Sequence, residues 1–307
     1  MRIAVIGLGV QGRKRRAVAG DAAAVTVDPV APDADYKTIQ EAPLATFDAA
    51  CVCVPDPEKL PILRYLLANK RHALVEKPLL ASSAEIQELS GLSRANRVAC
   101  YTAYNHRFEP HIPRLKQILD GGALGPVYLA RFFYGNGTAR DVRNSPWRDK
   151  GLGVISDLGS HLLDMALFLF GPRETPGEVW CVNRFENRAP DHVLFGYHGK
   201  PVLEMEATLV SWRNTFNLDV FGELGSAHIN GLCKWGPSTL TVRKRVLPSG
   251  RPGETVETLE QPDPTWKLEF DYFLELCRSG ETNLENDLWI TAKIGELAKQ
   301  IGAGGCL

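Results

Sequence analysis

Ile3-Ala4-Val5-Ile6-Gly7-Leu8-Gly9-Val10-Gln11-Gly12 decides the fold, because an apolar run passes directly into a G-x-G-x-x-G motif. The first glycine allows a tight turn, the second lets the backbone approach a phosphate, and the third permits close packing of helix on strand. The helix that starts there directs free N–H groups toward an anion. The stretch predicts a strand, loop and helix that bind a dinucleotide, with a ligand-free glycine turn as the alternative.

Asp28 closes a second apolar strand, Val25-Thr26-Val27. An acidic residue about 20 positions after the glycines accepts hydrogen bonds from the adenosine ribose. Its carboxylate repels a 2′-phosphate, so Asp28 favours NAD over NADP. The basic run Arg13-Lys14-Arg15-Arg16 could still reach a 2′-phosphate, which keeps NADP as an alternative, but we interpret the run as a solvent-exposed face.

Length and composition indicate two domains and a small-molecule partner. The 307 residues are 44% hydrophobic, which suffices for two cores. A formal net charge of -1 gives no general attraction for nucleic acid or anionic membranes. The apolar runs are too short to span a bilayer, and the first is too short for a signal peptide. We therefore predict a cytoplasmic protein that binds neither nucleic acid nor membrane.

The seven cysteines are scattered, without a CxxC pair or a His/Cys spacing typical of metal sites. Their odd number argues against a complete set of intrachain disulfides. We predict reduced cysteines and no metal site.

Apolar strands and helical segments alternate through the first third of the chain. Predicted strands lie at 49–54, 72–75 and 98–103, and predicted helices at 60–69 and 83–96. This alternation predicts a doubly wound α/β domain over residues 1–106. Val54 and Pro55 close the strand at 49–54 and are expected cofactor contacts, because ligands lie at the carboxyl ends of such strands.

The pattern changes in the remainder of the chain, 107–307. Predicted strands lie at 127–134, 179–185, 192–197, 202–209, 215–221 and 240–247, joined by Gly, Pro and Asn turns. Predicted helices lie at 157–170, 267–277 and 284–301. We expect an α+β substrate-binding domain with a mainly antiparallel sheet, whose last helix can pack back on the first domain.

Glu76-Lys77-Pro78 directly follows the predicted strand at 72–75. Pro78 restricts the backbone of Lys77 to extended conformations, which could hold its ammonium in the ligand cleft. An ammonium there can hydrogen-bond a sugar hydroxyl. An exposed lysine at a strand–loop junction is the alternative.

Asp157 and His161 are four residues apart on a predicted helix, and Asp164 lies one turn further. A carboxylate beside an imidazole fixes its tautomer and raises its basicity, which suits proton removal from an alcohol. A surface Asp–His pair is the alternative, and a metal site would need a third ligand. The opposite face should be buried and consists of Leu158, Leu162, Met165, Ala166 and Leu169.

Several segments together resemble the Gfo/Idh/MocA oxidoreductases, named for glucose–fructose oxidoreductase and inositol dehydrogenase. Their order and spacing fit over nearly the whole chain. The matching segments are Gly7-Leu8-Gly9-Val10-Gln11-Gly12, Glu76-Lys77-Pro78, Tyr104-Asn105-His106-Arg107-Phe108, Trp147-Arg148 and 151–164 with Asp157-Leu158-Gly159-Ser160-His161.

The resemblance implies a Rossmann domain followed by a domain on a large open sheet, whose outer face mediates homodimers or homotetramers. It implies catalytic roles for Lys77, Asp157 and His161. It further implies that Glu76 and Asn105 line the nicotinamide ribose. One departure is Lys59, which stands near the position where many members carry a histidine.

Candidate substrate contacts lie mainly in the polar segment 135–150. A guanidinium there can recognise a phosphate or carboxylate, although a solvated loop without a ligand is the alternative. Trp147 either contacts substrate or anchors its loop. The candidates are Arg107, Arg140, Arg143, Trp147 and Arg148.

Together, the motifs and the family resemblance predict an NAD(P)-dependent dehydrogenase that acts on a secondary alcohol of a sugar, cyclitol or nucleotide sugar. His161 would accept the hydroxyl proton, Asp157 would orient the imidazole, and Lys77 would hydrogen-bond the same oxygen. An NAD-dependent glycosidase of the same fold and a non-catalytic regulator that senses sugar or NAD are alternatives. The intact set of three residues argues against the regulator.

Overall fold

A computed structural model of the chain describes residues 1–145 and 148–303. These residues divide into two compact units. The first comprises Met1–Asn105 and Thr265–Ala292, and the second comprises His106–Pro264 and residues 293–303. The chain thus leaves the first unit beside the predicted boundary at 106, returns to it at 265 and leaves it again at 293.

The first unit contains a five-stranded parallel sheet with the order β2-β1-β3-β4-β5. Most of its strand residues are buried, because parallel sheets are covered on both faces and therefore read as continuous apolar runs. The predicted α/β architecture is confirmed. The strands are β1 (Ile3–Ile6), β2 (Ala23–Val27), β3 (Ala49–Val52), β4 (His72–Glu76) and β5 (Cys100–Ala103).

Three helices connect these strands: α1 (Val10–Ala19), α2 (Asp56–Ala68) and α3 (Ser83–Asn96). Helix α3 has the predicted bounds, because Ser82 and Glu85 form a reciprocal capping box at its start. Helix α2 begins four residues before its predicted start, since a proline in the first turn is compatible with a helix. Leu63, Leu66, Ile86 and Leu89 from α2 and α3 are fully buried in the core of this unit.

The second unit contains an eight-stranded sheet with the order β13-β12-β11-β10-β6-β9-β8-β7. Only the β6–β9 pair is parallel among the described residues, so the expectation of a mainly antiparallel sheet is confirmed. Strands β11 and β13 were not predicted, because β11 begins with Gly225 and β13 is almost wholly exposed. The strands are β6 (Val127–Gly135), β7 (Glu178–Asn183), β8 (His192–Tyr197), β9 (Val202–Thr208), β10 (Thr215–Gly222), β11 (Gly225–Asn230), β12 (Ser238–Val246) and β13 (Gly250–Leu259).

Helices α4 (His111–Asp120), α5 (Ala139–Arg143) and α6 (Ser160–Phe170) also belong to the second unit. Helix α5 lies within the segment that the sequence indicates as a loop. A π-helical turn, Ile155–Gly159, leads into α6. The expected helix at 157–170 is therefore wound differently over its first three residues.

Helix α7 (Thr265–Ser279) belongs to the first unit, and α8 (Leu284–Ala303) begins in the first unit and ends in the second. None of the helices in the described ranges combines the length and apolar character needed to cross a membrane. The six cysteines of these ranges are free thiols.

Candidate active site

Loops leave the carboxyl ends of all five parallel strands in the first unit. Parallel strands end at the same edge of a sheet, and ligands bind at that edge in open α/β folds. The edge brings together every residue that is predicted to contact the cofactor. These are Gly7–Gly12 after β1, Asp28 after β2, Val54 and Pro55 after β3, Glu76 and Lys77 at the end of β4, and Asn105 after β5.

The three positions of the motif are occupied by glycine for different physical reasons. Gly7 has φ +88°, and a Cβ there would lie 2.5 Å from the carbonyl oxygen of Cys53. A Cβ at Gly12 would lie 1.7 Å from the carbonyl oxygen of Gly7. A Cβ at Gly9, in contrast, would meet no heavy atom within 4 Å. The fold requires Gly7 and Gly12, whereas Gly9 leaves open space where a phosphate can approach the backbone.

The start of α1 has the features of an anion site. No side chain among the described residues caps it, and its first turn carries no acidic residue. Its first N–H groups are therefore available, and the helix dipole favours negative charge. Val10 is 74% exposed beside this opening. The cradle fits the pyrophosphate of a dinucleotide.

Asp28 holds the glycine loop through its carboxylate. Its Oδ2 accepts the N–H of Leu8 at 2.7 Å, and its Oδ1 accepts the N–H groups of Val30 and Ala31 at 2.8 Å each. Desolvation opposes ionisation, but these three donors together lower the pKa of Asp28 below its ordinary value. The side chain is thus an anion at the end of β2, as recognition of a ribose requires.

Arg15 corrects the interpretation of the basic run as a solvent-exposed face. It is only 1% exposed, although the other three residues of the run are exposed. Its Nε donates to Glu76 Oε1 at 2.7 Å, and its Nη2 lies 2.6 Å from Glu269 Oε2. Its guanidinium carbon lies 4.4 Å from the ring centre of Trp266. Arg15 therefore ties α1 to the end of β4 and to α7.

Glu269 is the unusual acid of this cluster because it is fully buried and shares one guanidinium with Glu76. The Tyr101 hydroxyl donates to its Oε1 at 3.2 Å. Burial and the charge of Glu76 raise the pKa of Glu269 to about 7, against the attraction of Arg15. The two carboxylates in turn raise the pKa of Arg15 above its ordinary value in spite of its burial.

Glu76 and Asn105 are the predicted ribose contacts, and both are anchored within the first unit. Arg15 holds the Glu76 carboxylate, and Asn105 Nδ2 donates to Thr265 Oγ1 at 2.8 Å. Both side chains thus have defined orientations at the ligand edge.

Lys77 is half-buried and directly follows β4, before a cis peptide bond to Pro78. The carbonyl oxygen of Pro78 accepts a hydrogen bond at 2.8 Å from Lys59, which is buried. Asp56 Oδ1 lies 2.7 Å from the same ammonium. Burial lowers the pKa of Lys59, although Asp56 opposes this shift. Lys59, the departure from the family pattern, thus supports the loop that carries Lys77.

His161 lies in the second unit at the start of α6 and is buried. Its ring stacks on the ring of His106, with centroids 3.9 Å apart and an interplanar angle of 18°. Asp157 lies in the π-helical turn, so the α-helical spacing of four does not describe its relation to His161. The Asp157 carboxylate lies 3.5 Å from Arg148, and both side chains are partly exposed.

Lys234 and Trp235 lie close to His106, and neither was predicted from the sequence as a site residue. Lys234 Nζ lies 2.5 Å from His106 Nε2 and 4.7 Å from the Trp235 ring centre. The Trp235 ring lies 5.6 Å from that of Tyr134, which itself lies 6.0 Å from the His161 ring. The sequence does offer one indication of a functional role for these two residues. A lysine and a tryptophan stand in a short connection between Gly231 and Gly236, although turns are formed mainly by small and polar residues.

Arg107, a candidate substrate contact, is directed at a buried carboxylate. Its Nε donates to Asp164 Oδ2 at 3.0 Å, and its Nη2 pairs with Asp164 Oδ1. Burial raises the pKa of Asp164 above its ordinary value, against the attraction of Arg107. The pair joins the segment after β5 to α6 inside the second unit.

The other candidate substrate contacts are dispersed. Arg140 and Arg143 are exposed on α5, and Arg148 pairs with Asp157. Trp147 lies outside the described residues. Within the described ranges, no group of three or more His, Cys, Asp or Glu side chains is placed to hold a metal ion.

A parallel sheet with an open glycine cradle and an acid after β2 is the arrangement of a dinucleotide-binding domain. Comparison with family models agrees: residues 13–104 match the oxidoreductase family with an NAD-binding Rossmann fold, and 112–228 match the GFO/IDH/MocA C-terminal domain. The chain belongs to the Gfo/Idh/MocA oxidoreductase family, and its first domain is an NAD-binding Rossmann domain. The resemblance in the sequence is confirmed.

Individual relatives are distant. The mouse trans-1,2-dihydrobenzene-1,2-diol dehydrogenase is 25% identical over 243 residues, which span 77% of this chain and 67% of that enzyme. The structure of a levoglucosan dehydrogenase in complex with NADH has a TM-score of 0.83 at 16% identity, covering 99% of this chain and 97% of that one. An inositol dehydrogenase homologue from Azotobacter vinelandii, complexed with NADH and myo-inositol, has a TM-score of 0.80 at 15% identity, covering 100% and 96%. These structures show the shared fold.

Proposed function

We propose that the protein is an NAD-dependent dehydrogenase that acts on a secondary alcohol of a ring, in a sugar, a cyclitol or a nucleotide sugar. The names of the relatives support this class, because dihydrobenzenediol, levoglucosan and myo-inositol are all six-membered rings that carry secondary hydroxyls. NADP is the alternative cofactor, and the anionic Asp28 disfavours it.

The observation that carries the proposal is the position of Lys77. It leaves β4 at the edge that also carries the glycine cradle and Asp28. An ammonium at that edge can donate a hydrogen bond to a substrate oxygen and stabilise the negative charge that develops there. The support from Lys59 and the anchoring of Glu76 restrict the backbone on both sides of this lysine.

The acid–base work falls to the second unit in this proposal. His161 accepts the hydroxyl proton during oxidation and returns it during reduction. Asp157, whose carboxylate lies 3.5 Å from Arg148, orients the imidazole in this proposal. NAD, when bound, supplies the hydride acceptor. Lys77, in the first unit, donates a hydrogen bond to a substrate oxygen.

The test is absorbance at 340 nm with NAD or NADP against free sugars, inositols, sugar phosphates and nucleotide sugars. We expect one substrate class to reduce NAD. In Lys77→Ala, kcat should fall by about 100-fold or more while NADH binding, followed by fluorescence, is retained. Lys244→Ala, an exposed lysine on β12, is the matched control and should behave as the wild type.

Other outcomes identify the rival classes. Full turnover by Lys77→Ala would remove this lysine from the mechanism. Release of a free sugar without net NADH would indicate the glycosidase. Tight NAD binding without turnover of any compound would indicate a regulator.

A further inference from the structure

The contact between Lys234 and His106 indicates which of the two side chains carries the shared proton. An ammonium carries three donors and no acceptor, so His106 Nε2 must accept with its lone pair across the 2.5 Å contact. Lysine is ordinarily the stronger base by about four pKa units, so the shared proton stays on lysine. This contact favours a neutral His106 imidazole with its hydrogen on Nδ1.

The stack places His161 in the same surroundings as His106. The two rings lie 3.9 Å apart and nearly parallel, and both are buried. A charge on either ring would be desolvated and would lie near the Lys234 ammonium. Burial and a neighbouring like charge both disfavour the charged form of an imidazole.

Other charged groups of the second unit have ion pairs or hydrogen bonds of their own. The Asp157 carboxylate lies beside Arg148, and Asp164 is paired with Arg107. Burial raises the pKa of Glu109, although the hydrogen bonds from Cys233 and the charge of Lys234 oppose this shift, and its Oε1 accepts the N–H of Cys233 at 2.9 Å. The titratable groups with described contacts to the stack are Lys234 and Tyr134, whose ring lies 5.2 Å from the His106 ring and 6.0 Å from the His161 ring. Asp157 lies near Tyr134, because its charge helps burial to raise the pKa of that phenol.

We propose that Lys234 is a positioning residue that keeps the His106–His161 stack uncharged in the resting protein, so that His161 can accept a proton from the substrate hydroxyl. The proposal rests on the proposed function, because it assigns the proton acceptor to His161. Lys234 acts through His106 and is held beside it by the Trp235 ring. The same charge favours return of the proton from His161 during reduction.

The first test uses the wild-type protein and needs no substrate. Nitrogen-15 chemical shifts of the histidine side chains, assigned with His106→Gln and His161→Gln, report the protonation of each ring nitrogen. At pH 7 we expect His106 to be neutral with its hydrogen on Nδ1, and His161 to be neutral. A cationic His106, or a hydrogen on its Nε2, overturns the proposal.

The second test is a pH titration of the His161 signal in Lys234→Met. Loss of the charge should raise the pH at which His161 titrates by about one unit, whereas Lys234→Arg should stay near the wild type. Lys244→Met is the control and should cause no shift. An unchanged His161 titration in Lys234→Met contradicts the proposal.

The activity test follows when a substrate is known. The acidic limb of the pH profile of kcat/KM should move up by about one unit in Lys234→Met and be restored in Lys234→Arg. A structural role alone would lower activity without moving this limb. Absence of turnover in the wild type would count against the proposed function, while the chemical shifts independently decide the role of Lys234.

Discussion

Arg15 Nε donates to Glu76 Oε1 over 2.7 Å, and this bond connects the helix that follows the glycine loop to the residue that precedes Lys77. The second ion pair of Arg15, with Glu269, brings α7 into the same cluster. A single guanidinium thus holds three elements of the first unit together beneath its ligand edge. Removing any one of these three charges should therefore change the electrostatic energy of the other two.

Arg15→Leu should destabilise the first unit by about 3–5 kcal/mol, because it leaves two carboxylates without their buried cation. Urea unfolding at pH 8, above the pKa of about 7 of Glu269, measures the change. Arg16→Leu is the matched control, since Arg16 is exposed and its pair with Asp33 is 3.7 Å long. Equal stability of Arg15→Leu and the wild type would disprove a structural role for the cluster.

Glu269 should make stability fall as pH rises. Its pKa is about 7 in the folded protein and ordinarily 4.5, so between these values the native state retains a proton that the unfolded state releases. Over this pH interval, the free energy of unfolding should fall by about 3 kcal/mol at most. Glu269→Gln removes this loss, so the variant should gain stability relative to the wild type from pH 5 to pH 8. Parallel pH profiles of the two urea midpoints would refute this assignment.

The burial of Arg15 illustrates what the sequence could not provide. Its helix shows a basic run that looks exposed, and its partner Glu76 lies 61 residues away in the chain. Long-range pairing of this kind leaves no periodic pattern. The strands and helices of the first unit, in contrast, are predictable because buried parallel strands read as apolar runs and α3 carries its own capping box.

The second unit was less predictable for a related reason. Strand β13 is exposed, so it lacks the alternation that reveals a half-buried strand. The π-helical turn before α6 alters the relation of Asp157 to His161 although the residue spacing looks α-helical. Lys234 meets His106 only because β11 and β12 bring their connection beside the segment after β5.

Gly9 and Gly12 should fail in different ways when replaced by alanine. A Cβ at Gly12 collides with the Gly7 carbonyl, so Gly12→Ala should lower the melting temperature markedly. The added methyl group of Gly9→Ala meets open space, so the melting temperature should stay unchanged. The same methyl group would lie where a phosphate approaches the backbone, so NADH binding should weaken by about tenfold or more. Thermal unfolding and NADH fluorescence separate the two effects. Undiminished NADH affinity in Gly9→Ala would place the pyrophosphate elsewhere.

Arg107 offers a choice between substrate binding and structure that one pair of variants resolves. Arg107→Leu leaves the buried Asp164 without its cation and should destabilise the second unit by about 3–5 kcal/mol in urea unfolding. The double variant Arg107→Leu/Asp164→Leu removes the isolated charge as well and should recover much of that loss. If Arg107→Leu instead unfolds like the wild type and has a raised KM, Arg107 is a substrate contact, as the sequence predicts.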